Sequence, residues 1–305
     1  MPIARSEGDT DQPDESSKRI TNIGHSQPDF APTELVPFSS VAGYKDVAPT
    51  EPTHSFGDRH MTEDINYQNA RLAEVYDLDN PWGQDNDFYF GLAGPGPCRV
   101  LDLGCGTGTL CCALAQRGHA VTGVDPASPM LAVAASKPLA DNVEWVKSRA
   151  QDYRSENRFD LIVMMGHAFQ ILLTNEEVLA VLGTMRRHLK PGGKAAFETR
   201  NPSIDWAHIW GTHPPVEHPL PSGCLRETLE ITGQSGELIS FQQRFEFPDV
   251  TLTSSSTLRF LSRTQVEHFI TRSGLVVGEV FGDWDRSRFD PVQSPEIIFI
   301  VEESG

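Results

Sequence analysis

The sequence predicts a doubly wound α/β fold, a seven-stranded sheet carrying an antiparallel β insertion between strands five and six. Three observations predict it. From Arg99 to Arg200, short apolar runs alternate with helix-length segments, as parallel strands buried on both faces require. The first of these runs breaks into alternate glycines and then a helical pattern, "VLDLGCGTGTL" at 100–110. Beyond Arg200 the rhythm changes to strict alternation of apolar and polar residues, the mark of half-buried antiparallel strands.

Residues 1–60 are rich in Pro, Ser, Asp, Glu and Thr with no apolar period, and read as a disordered acidic arm. Residues 61–97 read as a helical and aromatic cover: "MTEDINYQNARLAEVYDL" has the spacing of an amphipathic helix and "NPWGQDNDFYFGLAG" supplies aromatic rings. The main domain spans 98–305. In it "RVLDLG", "AVTGVD", "VEWVKS", "FDLIVMMG" and "KAAFET" are the first five strands, with helices at "GTLCCALAQRG", ended by Gly118, and "SPMLAVAASK". Thr174 and Glu177 are spaced as a capping box for a helix at 176–190, which "KPGG" stops. Alternation at Leu225, Leu229 and Ile231, then Ile239, Phe241, Phe245 and Phe247, then Leu252, Leu258 and Phe260 predicts three inserted strands within 202–261. Ser262 and Gln265 open another helix, and "LVVGEVFGDWD" and "EIIFIVEE" close the sheet.

Composition narrows the function classes. A formal net charge of −17 and the lack of a basic run argue against a nucleic-acid partner. No apolar stretch has the length of a membrane span, and the N-terminus lacks a signal peptide's apolar core. Five cysteines, an odd number at no metal-ligand spacing, read as reduced thiols, and the expected location is the cytoplasm.

The glycine pattern decides the cofactor class. Gly104-Cys105-Gly106-Thr107-Gly108 is G-x-G-x-G, not the G-x-G-x-x-G that sets a helix N-terminus against a pyrophosphate. Asp102, two residues upstream, would sit poorly beside phosphates. Asp125 ends the next strand, where an acid can accept hydrogen bonds from both hydroxyls of a ribose. Together these suit a nucleoside without phosphates and disfavour a nicotinamide oxidoreductase.

With "VTGVDPASPML", "FDLIVMMGHAFQ" and the "LKPGG" turn before strand five, this motif resembles the class I S-adenosylmethionine (SAM) dependent methyltransferases, strongly over 98–201 and more weakly over 61–303. The resemblance implies a Rossmann-like fold with SAM as cofactor. It implies that Gly104, Cys105, Gly106 and Gly108 wrap the methionine part, that Asp102 faces the ammonium and that Asp125 binds the ribose. Pro126 and Met130 then pack on the adenine, and Ala150 or Gln151 contacts its amino group. Many members use an acid there; it aligns with Arg149, which cannot accept a hydrogen bond.

Ligands of doubly wound sheets lie beyond the carboxyl ends of the strands, which points to Gly166 and His167 after strand four. His167 is the candidate general base, or alternatively a residue that only binds SAM or the loop backbone. Candidate acceptor contacts are Trp82, Tyr89, Phe169, Gln170, Arg200, Asn201 and Trp284. Each has a plainer reading: core packing for Phe169, a helix-start contact for Gln170, a lid tie for Arg200, turn packing for Trp284. His208, His213 and His218 recur at five-residue intervals in "DWAHIWGTHPPVEHP", but the prolines break any helix that would align them, so this stretch reads as a surface lid loop and no metal is expected.

The function expected is methyl transfer from SAM to an oxygen or nitrogen of a small molecule. A SAM-binding protein that transfers nothing and a methyltransferase with a protein acceptor are the alternatives. The expected partner is a small molecule, with neither nucleic acid nor membrane, and the chain is a monomer or a homodimer.

Overall fold

The computed structural model describes residues 65–304; the acidic arm at 1–60 lies outside them. Two short helices, α1 (Ile65–Gln68) and α2 (Ala70–Asp79), precede α3 (Gln84–Leu92). The main domain then runs β1 (Arg99–Leu103), α4 (Thr109–Gln116), β2 (Ala120–Asp125), α5 (Ser128–Ser136), β3 (Val143–Lys147), β4 (Phe159–Met164), α6 (Asn175–His188) and β5 (Leu189–Arg200). After an insertion, α8 (Arg263–Arg272), β10 (Leu275–Phe281) and β11 (Glu296–Glu303) complete it. Seven strands form one sheet in the order β10-β11-β5-β4-β1-β2-β3. The first five are parallel, and β11 pairs antiparallel with both neighbours.

Both faces are covered, which is why the strand sequences read as continuous apolar runs. Leu101 and Leu103 of β1 face Val178, Leu182 and Met185 of α6 and Val266 and Ile270 of α8. Val100 faces the opposite layer with Leu110 and Leu114 of α4 and Phe88 of α3. Phe197 at the middle of the sheet stacks between Phe169, 4.5 Å away, and Phe299, 5.4 Å away. The caps expected at Thr174 and Ser262 form, each side-chain oxygen accepting from the backbone of the third helical residue.

Two expectations are corrected. The helix expected at 176–190 ends at His188, and strand five starts at once, at Leu189. A glycine allows this: a Cβ at Gly193 would lie 2.9 Å from the Phe159 carbonyl oxygen, so only glycine lets β5 approach β4 there.

The insertion has four strands, not three: β6 (Val216–Leu220), β7 (Gly223–Ser235), β8 (Leu238–Glu246) and β9 (Thr251–Arg259), preceded by α7 (Trp206–Gly211). The histidine-rich stretch taken for a surface lid loop is therefore α7 and β6. Pro219 obscured the strand, yet β6 is the sheet edge, where a residue without an N–H is tolerated.

The apolar face of this second sheet is buried within the chain. Phe241 and Phe260 pack on Trp210 of α7, and Leu225, Phe245 and Phe247 pack on Leu72 of α2. The next residue of α2, Ala73, packs instead on Ala127 and Met130 of the main domain. Helix α2 thus bridges the inserted sheet and the start of α5 in the main domain.

Candidate active site

β1 ends at Leu103, and the glycine loop turns back on β2: the N–H groups of Gly104 and Cys105 donate to the Val124 carbonyl at 2.7 and 3.1 Å. Gly108, at φ +74°, begins α4 from the left-handed region, and a Cβ there would fall 2.3 Å from the Trp145 ring. Asp125, at the end of β2, accepts from the Gly106 N–H at 2.9 Å and the Ala127 N–H at 2.8 Å. Its carboxylate therefore ties the loop to the start of α5. Burial pushes it up to about 6, against the pull of those two N–H donors.

Asp102 is buried beneath the same loop. One of its oxygens accepts from the Cys111 thiol at 3.2 Å, while Oδ1 has no hydrogen-bond partner among the described residues. Burial pushes this carboxyl up to about 7. A buried acid with an oxygen to spare is what an ammonium group would satisfy. A cavity partly open to solvent is lined by Gly104 together with Pro126, Ala150, Gln151 and Ala168. The acid with its spare oxygen and the cavity both border the glycine loop.

Over this loop lies α2. Tyr76 is 4.0 Å from where a Gly106 Cβ would sit, and burial beside Asp125 raises its hydroxyl. Asp77 accepts from Thr107 Oγ1 and pairs with Lys137 Nζ at 2.6 Å, fastening the helix to the loop.

A second constellation occupies the carboxyl ends of β4 and β5. Gly166 and His167 both take positive φ, +67° and +58°, and this turn aims the His167 N–H at Glu198 Oε1, 2.5 Å away. Tyr89 of α3 donates its hydroxyl to the other oxygen of Glu198. His167 Nε2 lies 3.0 Å from both oxygens of Glu296, the first residue of β11, which is in register with Arg200. Arg200 donates to Gln170 Oε1 at 3.0 Å and lies over the rings of Trp206 and Trp210. Trp284 closes the group, its ring 6.4 Å from His167 and 6.1 Å from Tyr89. Tyr89, His167, Gln170, Glu198, Arg200 and Glu296 are buried, and Trp284 is half-buried.

Burial dominates the electrostatics. It pushes Glu198 up to about 7, opposed first by His167, and Glu296 up to about 8, opposed by Arg200. It lowers the Arg200 guanidinium to about 10, leaving it charged at neutral pH. The cluster therefore stores protons on carboxylates beside an imidazole, in low dielectric.

The structure brings together His167, Tyr89, Gln170, Arg200 and Trp284 of the residues singled out from sequence, and separates others. Trp82 is exposed, its indole N–H donating to Asp87 and its ring edge-on to Phe90, so it is a surface residue of α3's approach. Phe169 is core, stacked on Phe197. Asn201 holds a turn, donating to the carbonyls of Pro291 and Ser294. Met130 is buried under Ala73 rather than lining the cavity, and Cys105 offers the loop only its backbone because its side chain enters the core. Arg149 pairs with Asp152 at 2.6 Å beside the cavity.

Glu198 and Glu296 were not foreseen. The signal for Glu198 was a lone acid inside the apolar strand "KAAFET"; Glu296 stands 129 residues from His167, and nothing local links them.

Comparison with known proteins agrees with this geometry. Residues 100–193 match the family described as Methyltransferase domain. The cypemycin N-terminal methyltransferase of Streptomyces sp. is 34% identical over 140 residues, covering 46% of this chain and 57% of that protein. A ubiquinone biosynthesis O-methyltransferase of Pseudomonas fluorescens is 38% identical over 118 residues, 37% of this chain and 48% of that protein. The chain thus spans about half the length of these curated relatives. Among solved structures, the CcbJ methyltransferase from Streptomyces caelestis superposes with a TM-score of 0.63 at 20% identity, over 80% of this chain and 100% of that one. The sugar N-methyltransferase KedS8 from Streptoalloteichus sp. does so at 0.61 and 16%, over 85% and 100%. At these identities the structural likeness establishes the fold.

Proposed function

We propose that this chain, whose residues 100–193 form a class I SAM-dependent methyltransferase domain, transfers a methyl group from SAM to an oxygen or nitrogen of a small molecule, with an amine nitrogen favoured. The observation that carries the choice of atom is the buried acid cluster. Glu198 and Glu296 stand beside His167 and Tyr89 where the parallel strands end. Buried carboxylates beside aromatic rings suit a cationic ammonium, and Trp284 and Tyr89 supply the rings. The relative named as an N-terminal methyltransferase supports nitrogen, while the one named as an O-methyltransferase supports oxygen, so the choice of atom rests on the acid cluster.

Bound SAM supplies the methyl group as an activated electrophile on sulfur. Gly104, Gly106 and Gly108 would hold its methionine part, Asp102 its ammonium, Asp125 its ribose, and Pro126, Ala150 and Gln151 its adenine. The remaining work falls to the cluster. A substrate ammonium cannot be methylated until it loses a proton, and the Glu296–His167 pair is placed to take one, since burial holds the Glu296 carboxyl up at about 8 and the imidazole beside it is a ready proton acceptor. Glu198 holds the His167 backbone and the Tyr89 hydroxyl, fixing the wall that aligns the freed lone pair for in-line displacement. Gln170 and Arg200 brace that wall.

The reading is tested by incubating the purified chain with methyl-labelled SAM and a fractionated cell extract. Label in a small-molecule fraction, on a product whose mass spectrum places it on nitrogen, is expected. Label confined to protein, or none with SAM bound, would replace the reading by a protein acceptor or a non-transferring SAM protein.

A further inference from the structure

The three histidines at 208, 213 and 218 do not converge. His208 lies in the last turn of α7, and His213 Nδ1 is 2.8 Å from the Pro214 carbonyl oxygen. His218 instead turns toward the cover. In the β6–β7 ladder Val216 faces Glu227 and His218 faces Leu225, so His218 and Glu227 are diagonal neighbours on one face. Asp79, the last residue of α2, meets that face. His218 Nε2 lies 3.3 Å from Asp79 Oδ1 and 3.8 Å from Glu227 Oε1, and one ligand atom from each of the three residues falls within 4.8 Å of the others.

This arrangement is expensive without a cation. Asp79 and Glu227 are 3% and 5% exposed, two acids facing one imidazole in the interior. Glu227 Oε2 and His218 Nε2 have no hydrogen-bond partner among the described residues. Among the described residues, the arginines and lysine nearest in the fold pair elsewhere: Arg71 with Asp249, Lys137 with Asp77 and Arg226 with Glu246. Burial, with the charge of Asp79 behind it, pushes the Glu227 carboxyl upward.

We propose that Asp79, His218 and Glu227 are the protein ligands of a divalent transition metal of the zinc class, which ties cover helix α2 to the inserted sheet. Ligand atoms about 2.0–2.1 Å from a tetrahedral zinc lie roughly 3.3–3.5 Å from each other, which the 3.3 Å His218–Asp79 spacing meets and the 3.8 Å His218–Glu227 spacing reaches with a small side-chain movement. One imidazole nitrogen and two carboxylate oxygens leave a fourth position for water, and the nitrogen favours zinc over magnesium or calcium, which prefer all-oxygen sets. The metal would neutralise both acids and fix the helix that carries Tyr76 and Asp77 onto the glycine loop. The proposal stands independently of the methyl acceptor.

The test uses the full chain, stripped with a chelator and titrated with cobalt(II), whose visible absorption reports its coordination. One equivalent per chain is expected, displaced by zinc, with affinity at least tenfold weaker in His218→Ala and in the nearly isosteric Glu227→Gln, and unchanged in the double variant His208→Ala/His213→Ala. Circular dichroism identifies a variant that fails to fold, and if His218→Ala does so, Glu227→Gln decides. No cobalt band in the wild-type chain would overturn the proposal, as would a band that survives both His218→Ala and Glu227→Gln. Absent binding, with Glu227→Gln raising thermal stability, would identify the cluster as acids sharing a proton.

Discussion

At Asp125 a single carboxylate serves the loop and, in the proposed complex, the ribose. Each oxygen already accepts one backbone N–H, and each keeps a further lone pair for a hydroxyl. Replacing Asp125 by alanine should weaken SAM binding, measured calorimetrically, by about 2–4 kcal/mol, the value of one to two charge-assisted hydrogen bonds. Unchanged affinity would remove it from the cofactor. The acid pair of the second constellation makes a prediction of opposite kind. Because Glu198 and Glu296 bind protons more tightly folded than unfolded, the stability they lend is full below the unfolded value of about 4.3 and fades as pH rises through about 7 and about 8. Thermal unfolding should therefore fall in temperature between about pH 5 and about pH 8, and Glu296→Gln should flatten that fall. A slope identical in the variant would show that Glu296 does not bind the extra proton. These two acids were the least legible part of the site: Glu198 could be suspected from its strand, whereas the partner of His167 depends on strand order, which sequence spacing does not carry.

At the scale of the element, the glycine loop and the inserted sheet show opposite degrees of legibility. The loop was readable because its glycines are demanded locally: Gly108 combines a left-handed backbone with a ring pressed against its Cα. Gly108→Ala should destabilise the domain by about 2–4 kcal/mol, left-handed strain added to overpacking against Trp145, read as a lower midpoint in denaturant. A neutral result would mean that the loop is not held as described. In the insertion, β7, β8 and β9 announced themselves by alternation, but β6, with a proline and a histidine among five residues, has no apolar period. Its place is set by the register with β7, a nonlocal pairing. For the same reason alternation shows that the insertion has an apolar face but not what covers it, and packing on Trp210 and Leu72 assigns that face to the chain's own core.

Over the whole molecule, the doubly wound order was legible because every parallel strand is sandwiched, so burial alone writes it into composition. Among the described residues no helix is long and apolar enough to cross a membrane. On one face of the sheet a central aromatic stack of Phe169, Phe197 and Phe299 belongs to the core. Phe197→Ala should cost about 3–5 kcal/mol of unfolding free energy, measured by denaturant titration, because it opens a cavity between Phe169 and Phe299. What joins the two halves of the site is likewise a property of the whole fold: α2 from the beginning of the described chain and β11 from its end meet the glycine loop and His167.

The proposed division of labour is that Glu296 and His167 serve the acceptor while the glycine loop serves SAM. It is tested most directly by comparing methyl-transfer turnover and SAM dissociation constant in the wild-type chain and in Glu296→Gln, with the acceptor recovered by labelling. The account predicts a loss of turnover of about 100-fold or more, the usual worth of a positioned acid or base, with SAM affinity within about threefold of wild type. Undiminished turnover, or a loss explained by an equal loss of SAM affinity, would contradict it.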